Sequence, residues 1–460
     1  MSELPPGSES PIPPVETQNL ASPPAAPPTP PTETQNLASL PVTPALGLDR
    51  SSLALAILSG LGLALAALIA LALFMLGLAN AARGGVSAQD NAGNLFSIAW
   101  VSLLVAGLQL PPLILSIRRL SGKTSSERPP HGRWLLATVC LVLMIPLVIF
   151  GQSLTGRTTS STLLFLPPLQ LAVVAIPIWW AFETGRRGLL GGSPQRRWGV
   201  VSVSTLLTMP VVLVVELIAV VVFGIVVFSL IAIQPQVLQQ LQNAYQGISR
   251  GAVDPQELIN ILEPYLRQPG VIFLVVAGGA AFAPLLEEAL KPLGVWFLAG
   301  RRLTPAQGFA AGLACGAIFA LLESLFSLNP SMGADWAGVV VGRMGTGLLH
   351  VTCSGLVGWG LALAWRREGY VKLGALYLLA VFLHGSWNAI SLLSGFAGLT
   401  DTPQPAWMEF LAQYGAWVLV GLVALNLVIL LSASRYLRRH PEPPPVQPVP
   451  VLIPASIDGL

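Results

Sequence analysis

The stretch SLALAILSGLGLALAALIALALFMLGLA, residues 52–79, contains no charged side chain and no proline. It exceeds the ~20 apolar residues that a helix needs to cross the hydrocarbon core of a bilayer, so it reads as a membrane-spanning helix. Nine further apolar runs follow at 95–117, 134–151, 162–182, 199–233, 271–299, 304–328, 337–365, 372–397 and 410–434. The fifth is overlong and holds Pro210, the expected place of a kink. Composition agrees with this reading. Of the 460 residues, 53% are hydrophobic and only 10% charged, and the mean hydropathy is +0.70. Soluble domains carry roughly 25% charged residues, so lipid must solvate much of this surface. The expected fold class is all-α: a polytopic transmembrane helical bundle of about ten spans with disordered proline-rich termini.

Residues 1–50 are rich in Pro, Thr, Ser and Ala and contain ETQNLAS twice, at Glu16–Ser22 and Glu33–Ser39. Such a segment cannot bury enough apolar surface to offset its ordering entropy, so a disordered cytoplasmic tail is expected. The repeat reads as a slipped duplication. A second proline-rich tail, 441–460, follows His440. The first apolar run starts only near Leu53, unlike a cleavable signal peptide. Between the tails the chain divides into a five-span region (51–233), an external amphipathic segment (234–270), a membrane domain that holds the chemistry (271–400) and a final span (401–440). Within 234–268 two short amphipathic helices are expected. One runs through VLQQLQNAY, and the other opens at Asp254-Pro255, an N-cap followed by proline.

Basic residues fall in alternate loops: Arg118, Arg119, Lys123, Arg128 and Arg133; then Arg186, Arg187, Arg196 and Arg197; then Arg301 and Arg302; Arg366, Arg367 and Lys372; and Arg435, Arg438 and Arg439. The intervening loops hold only Arg83, Arg157, Arg250 and Arg267. This asymmetry puts both termini in the cytoplasm, and the net charge of +3 reflects these loops rather than nucleic-acid binding. Cys140, Cys315 and Cys353 lie inside apolar runs, which argues against a disulfide framework.

Ionisable residues gather in four consecutive spans. The sixth holds Glu287, Glu288 and Lys291, the seventh Glu323, the eighth Arg343 and His350, and the ninth His384. Each charge at the centre of a span costs roughly 2.5–3.5 kcal/mol, so these groups must face one another or a water-filled cavity. Lys291 follows Glu287 by four residues and Glu288 by three, so one ammonium can pair with either. His384 and Asn388 share a helix face, as do Arg343 and His350 roughly. Glu323 falls nearer the external end of its span than Glu287, His350 and His384. Gly308, Gly312 and Gly316 form a small-residue stripe that lets another helix approach closely. Glu216 stands alone in the fifth span, with Arg343 or the backbone as its expected partner. A buried glutamate can take a proton from water, and imidazoles can orient that water, bind a metal or stabilise an oxyanion.

The motifs EEALK (Glu287–Lys291), GAIFALLE (Gly316–Glu323), RMGTGLLH (Arg343–His350) and HGSWN (His384–Asn388) resemble, in order, those of the PrsW family. These are bacterial intramembrane proteases related to the CAAX prenyl endopeptidases and the wider CPBP superfamily. The resemblance covers about 271–397. It implies cleavage of a membrane-anchored protein substrate in the bacterial plasma membrane, in the best-known members an anti-sigma factor. It makes Glu287 and Glu288 the catalytic pair, completed by Glu323, His350 and His384, with Asn388 supporting the oxyanion and Lys291 and Arg343 in support. It leaves open zinc, held by Glu323, His350 and His384, or a metal-free glutamate mechanism. The five additional N-terminal spans and the two tails depart from the compact family pattern, so the anti-sigma substrate does not carry over. Two rival readings exist. A proton- or ion-coupled transporter also buries Glu, His and Arg, but such folds often show paired repeats, whereas here the polar residues lie in one half. A non-catalytic scaffold is the other.

Overall fold

In lipid, an apolar run satisfies its backbone by hydrogen-bonding internally as a helix, and helix is the only regular structure among the described residues. The computed structural model describes residues 49–123, 133–155, 160–232, 235–249, 264, 268–328, 335–366, 369–398 and 406–442. Within these, 10 helical stretches are long and apolar enough to cross a membrane, and the chain is an integral membrane protein.

The first four spans are α1 (Arg50–Arg83), α2 (Val86–Leu120), α3 (Arg133–Leu154) and α4 (Ser160–Gly185). The fifth joins α5 (Pro194–Val203) through a π turn, Ser204–Thr208, to α6 (Met209–Ala232). After α7 (Pro235–Ser249), the sixth span joins α8 (Pro269–Ala277) through a second π turn, Gly278–Phe282, to α9 (Ala283–Leu290) and the short α10 (Leu293–Trp296). The last four are α11 (Pro305–Ser327), α12 (Trp336–Trp365), α13 (Tyr370–Gly398) and α14 (Ala406–Arg439). The α7 helix realises the first expected amphipathic helix. The helix expected at Asp254-Pro255 and the two tails, 1–48 and 443–460, lie outside the described residues.

Local chemistry fixes the span ends. Ser193 caps the fifth span by accepting from the Arg196 backbone N–H at 3.3 Å, with Pro194 as the first helical residue. That cap starts the span earlier than its apolar run does. Thr304 and Gln307 form a capping box at the start of α11, so α11 begins at Pro305. Each π turn ends two residues before a proline, Pro210 in one case and Pro284 in the other. Proline lacks an N–H and its ring crowds the carbonyl four residues back, and a wider turn at that point relieves both conflicts. The expected kink at Pro210 thus takes the form of a π turn.

The α11–α12 hairpin is the centre of the bundle. Of the most apolar part of each helix, 78% is buried in α11 and 94% in α12, against 17% in α1 and α3. Glycine makes the hairpin possible. A methyl group at Gly308, Gly312 or Gly316 would overlap the backbone carbonyl oxygen of Gly358, Ser354 or His350 respectively. Backbone therefore lies directly against backbone along the stripe, and this contact fixes the register of the α12 residues facing α11. On the other sides, α13 packs on α12, and α4 from the N-terminal half packs on both α11 and α12.

Candidate active site

Four consecutive spans bring their polar residues to one place, and one ammonium ties most of them together. Lys291, at the end of α9, is fully enclosed. Its Nζ lies 2.7 Å from Glu287 Oε2, 2.8 Å from Glu288 Oε1, 2.9 Å from His350 Nδ1 and 3.3 Å from His384 Nδ1. The Phe319 ring sits 4.4 Å from the same nitrogen, adding a cation–π contact. Both glutamates reach Lys291, although their helical positions differ by about 100°.

The hydrogen bonds assign the imidazole protons. His350 Nε2 is 2.8 Å from Glu323 Oε2. With Lys291 donating to Nδ1, His350 carries its proton on Nε2 and donates it to Glu323. His384 Nδ1 is 2.9 Å from Glu288 Oε1, so Nδ1 carries the proton that Glu288 accepts, and Nε2 faces Glu287 Oε2 at 3.9 Å. The two imidazoles stand edge to face with centroids 5.0 Å apart. Glu288 Oε2 is buried and has no hydrogen-bond partner among the described residues. A buried carboxylate oxygen without a donor marks a place for a water or a substrate N–H.

Exposure rises along the cluster. Lys291 and Glu288 have fully buried side chains, whereas Glu323 is 34% exposed and Arg343, its partner at 2.9 Å, 23%. Glu323 therefore joins the site through His350 and lies at its more open end, as its position late in α11 requires. Arg343 and His350, two turns apart on α12, meet the same carboxylate.

Two expectations take a different form. Among the described residues, the group whose ligand atoms lie within 4.8 Å of one another is Glu287, His350 and His384, so Glu287 stands where Glu323 was expected. One carboxylate and two imidazoles suit a divalent transition metal. The Lys291 ammonium lies among these atoms and engages the His350 lone pair, so a metal bound by all three needs Lys291 to release His350. Asn388 is one turn from His384, but its Nδ2 donates to the Gly279 carbonyl at 2.9 Å, within the second π turn. Gly385 lies against the Ala280 carbonyl in the same turn, so α13 is keyed to the sixth span just above the catalytic candidates.

Sequence reasoning left Glu216 out of the site. The structure sets it on α6 near Glu287, and not against Arg343. Two acidic residues on helices separated by about seventy positions leave no periodic signal, so only the three-dimensional packing reveals the pair.

Spans that share a buried centre of carboxylate, imidazole and ammonium define a polytopic membrane protein with a polar site inside the bundle. Residues 210–425 match the family described as PrsW family intramembrane metalloprotease, a match that supports an intramembrane protease. The matched region begins in the fifth span, so it includes the helix that carries Glu216. No curated protein matches the chain, and no solved structure does.

Proposed function

We propose that the chain is an endopeptidase that hydrolyses a peptide bond of a membrane-anchored protein, and that Glu288 is the base that activates water. The observation that carries this reading is the unpartnered, buried Oε2 of Glu288 beside an ammonium and two imidazoles. Glu288 Oε1 is held by Lys291 and His384, so the remaining oxygen is aimed and free to accept a proton. A water donating to it attacks the scissile carbonyl carbon. The second Asn388 N–H is the available donor for the developing oxyanion, and the Lys291 ammonium, its three N–H groups engaged by Glu287, Glu288 and His350, adds positive charge beside it. Glu288 then returns the proton to the departing amine nitrogen as the C–N bond breaks, so that one water is consumed and an acid and an amine are released.

Zinc fits Glu287, His350 and His384 as donors, with Glu323 behind His350 orienting its ring. A bound zinc ion would supply Lewis-acid polarisation of the carbonyl. Either way Glu288 keeps its role, because it lies outside that ligand group. Glu216 braces Glu287 from α6. Water enters from the Glu323–Arg343 end, where exposure is highest, and a substrate helix approaches between spans. A place near the CAAX endopeptidases, the bacterial plasma membrane as location, and cytoplasmic termini belong to this same proposal.

The test is cleavage of membrane-anchored candidate proteins in cells that express the wild type, Glu288→Gln, Glu287→Ala or His384→Ala. Glu288→Gln keeps the size and one hydrogen-bonding oxygen but cannot take a proton, and is expected to slow cleavage by about 10²–10⁴-fold. Cleavage by Glu288→Gln at the wild-type rate would reject this assignment. Proton flux in liposomes that follows a transported solute would favour the transporter instead.

A further inference from the structure

A second polar feature lies away from this centre, at the end of the bundle where spans one, five and seven begin and spans two and six end. A cavity of about 900 Å³ opens there between α1, α5, α10 and the loop that follows it. Its mouth is basic. Arg119, Arg196, Arg301 and Arg302 line it, and no acidic side chain among the described residues does. Asp49, at the N-cap of α1, pairs with Arg119 at 2.9 Å. The Ser51 hydroxyl holds the Asp49 carboxyl down to about 2, so it is ionised and offsets one guanidinium. Arg196 donates to Gln307 at 3.0 Å. Arg301 and Arg302 are exposed and have no acidic partner among the described residues. Arg302 is the one non-glycine residue with positive φ among the described residues, at 29°, two residues after Gly300 at 80°. An unfavourable backbone conformation is thus retained where it presents adjacent guanidinium groups.

Below the mouth the walls turn apolar: Leu55 and Leu58 from α1, Val203 and Leu207 from the fifth span, and Phe297 and Leu298 beyond α10. At ~1.5 Å per residue, Leu58 and Leu207 lie roughly 12 and 20 Å below Arg50 and Pro194, the first residues of their spans. The cavity is therefore cationic at headgroup level and hydrocarbon-like beneath. Its length and polarity match one molecule class: an anionic lipid with its phosphate at the mouth and its acyl chains along the wall. A soluble phosphate ester would leave the lower wall unfilled, and a zwitterionic lipid would leave the excess positive charge unmatched.

We propose that this cavity is a binding site for an anionic phospholipid, held by Arg301 and Arg302 through its phosphate and by the α1–α5 wall through its acyl chains. Because α10 follows Lys291 almost directly, the bound lipid packs against the end of the span that carries Glu287 and Glu288. The site does not depend on the proposed peptidase chemistry.

Native mass spectrometry of the delipidated full chain, titrated with phosphatidylglycerol or phosphatidylcholine in one detergent, tests it. The wild type is expected to retain one phosphatidylglycerol in clear preference to phosphatidylcholine. Removing both guanidinium groups in an Arg301→Gln/Arg302→Gln variant should weaken retention on the order of twenty-five-fold, about fivefold for each. These two side chains are exposed, and an unchanged elution volume confirms that the variant is folded. Leu58→Trp, which narrows the wall and leaves the charge, should also weaken retention. Millimolar inorganic phosphate should leave the lipid bound. Equal retention of the two lipids, undiminished preference in the double variant, or full displacement by phosphate would each overturn the proposal.

Discussion

Lys291 is the residue on which the centre turns. Its Nζ is the common neighbour of Glu287, Glu288, His350 and His384. Removing one partner of a buried ion pair costs about 3–5 kcal/mol, because the charge left behind is uncompensated. Here two carboxylates would be left. Lys291→Ala is therefore expected to lose stability in that range, read as a lower midpoint of denaturant unfolding in mixed micelles. Lys291→Arg should not restore it, since a planar guanidinium does not fit a fully enclosed point-charge position. Lys291→Met combined with Glu288→Gln should recover part of the loss by removing a charge of each sign. A Lys291→Ala protein as stable as the wild type would show that the ammonium does not compensate these acids. Much of this residue-level picture was legible in the sequence, because i,i+3 and i,i+4 spacing announces the Glu–Lys contacts. The pairing of Glu216 with Glu287 was not, nor was the engagement of Asn388 by Gly279, because both depend on contacts between distant segments.

At the level of elements, the α11–α12 hairpin places the histidine. The Gly316 Cα sits against the His350 carbonyl and Gly312 against that of Ser354, so the depth of the imidazole is set by how closely two backbones approach. Gly312→Ala pushes on a carbonyl oxygen that cannot rotate away, and overpacking of this kind costs about 1–3 kcal/mol. The expected outcome is lower stability together with a loss of cleavage, although no site residue has changed. Gly338→Ala, which meets open space in α12, serves as the control and should leave both unchanged. If Gly312→Ala and Gly338→Ala behave alike, close backbone approach does not position His350. The stripe itself was readable from its four-residue repeat. The π turns were not, since Pro210 and Pro284 signal a break in helical geometry without saying how the helix accommodates it.

Across the whole molecule, contacts at one end of the bundle gather the basic loops on a common face. Arg119 joins Asp49 and Gln195, Arg196 joins Gln307, Arg438 donates to the Arg187 carbonyl, and Arg366 pairs with Glu442. The five loops rich in Lys and Arg therefore share a face, as an even number of spans requires, and in the orientation proposed above the asymmetry of charge puts that face in the cytoplasm. This sense of insertion also decides which leaflet feeds the arginine-lined cavity and from which side water reaches Glu323. Ser87, at the start of α2, and Ser121, just beyond its end, are both exposed and lie at opposite ends of one span. In a background where Cys140, Cys315 and Cys353 are replaced, a membrane-impermeant maleimide added to intact cells should label Ser87→Cys, and should label Ser121→Cys only after the membrane is opened. The reverse pattern would place the basic face outside, and with it the phospholipid site in the outer leaflet. Because α2 is a single uninterrupted helix, labelling of both positions in intact cells would instead show that it does not cross the membrane.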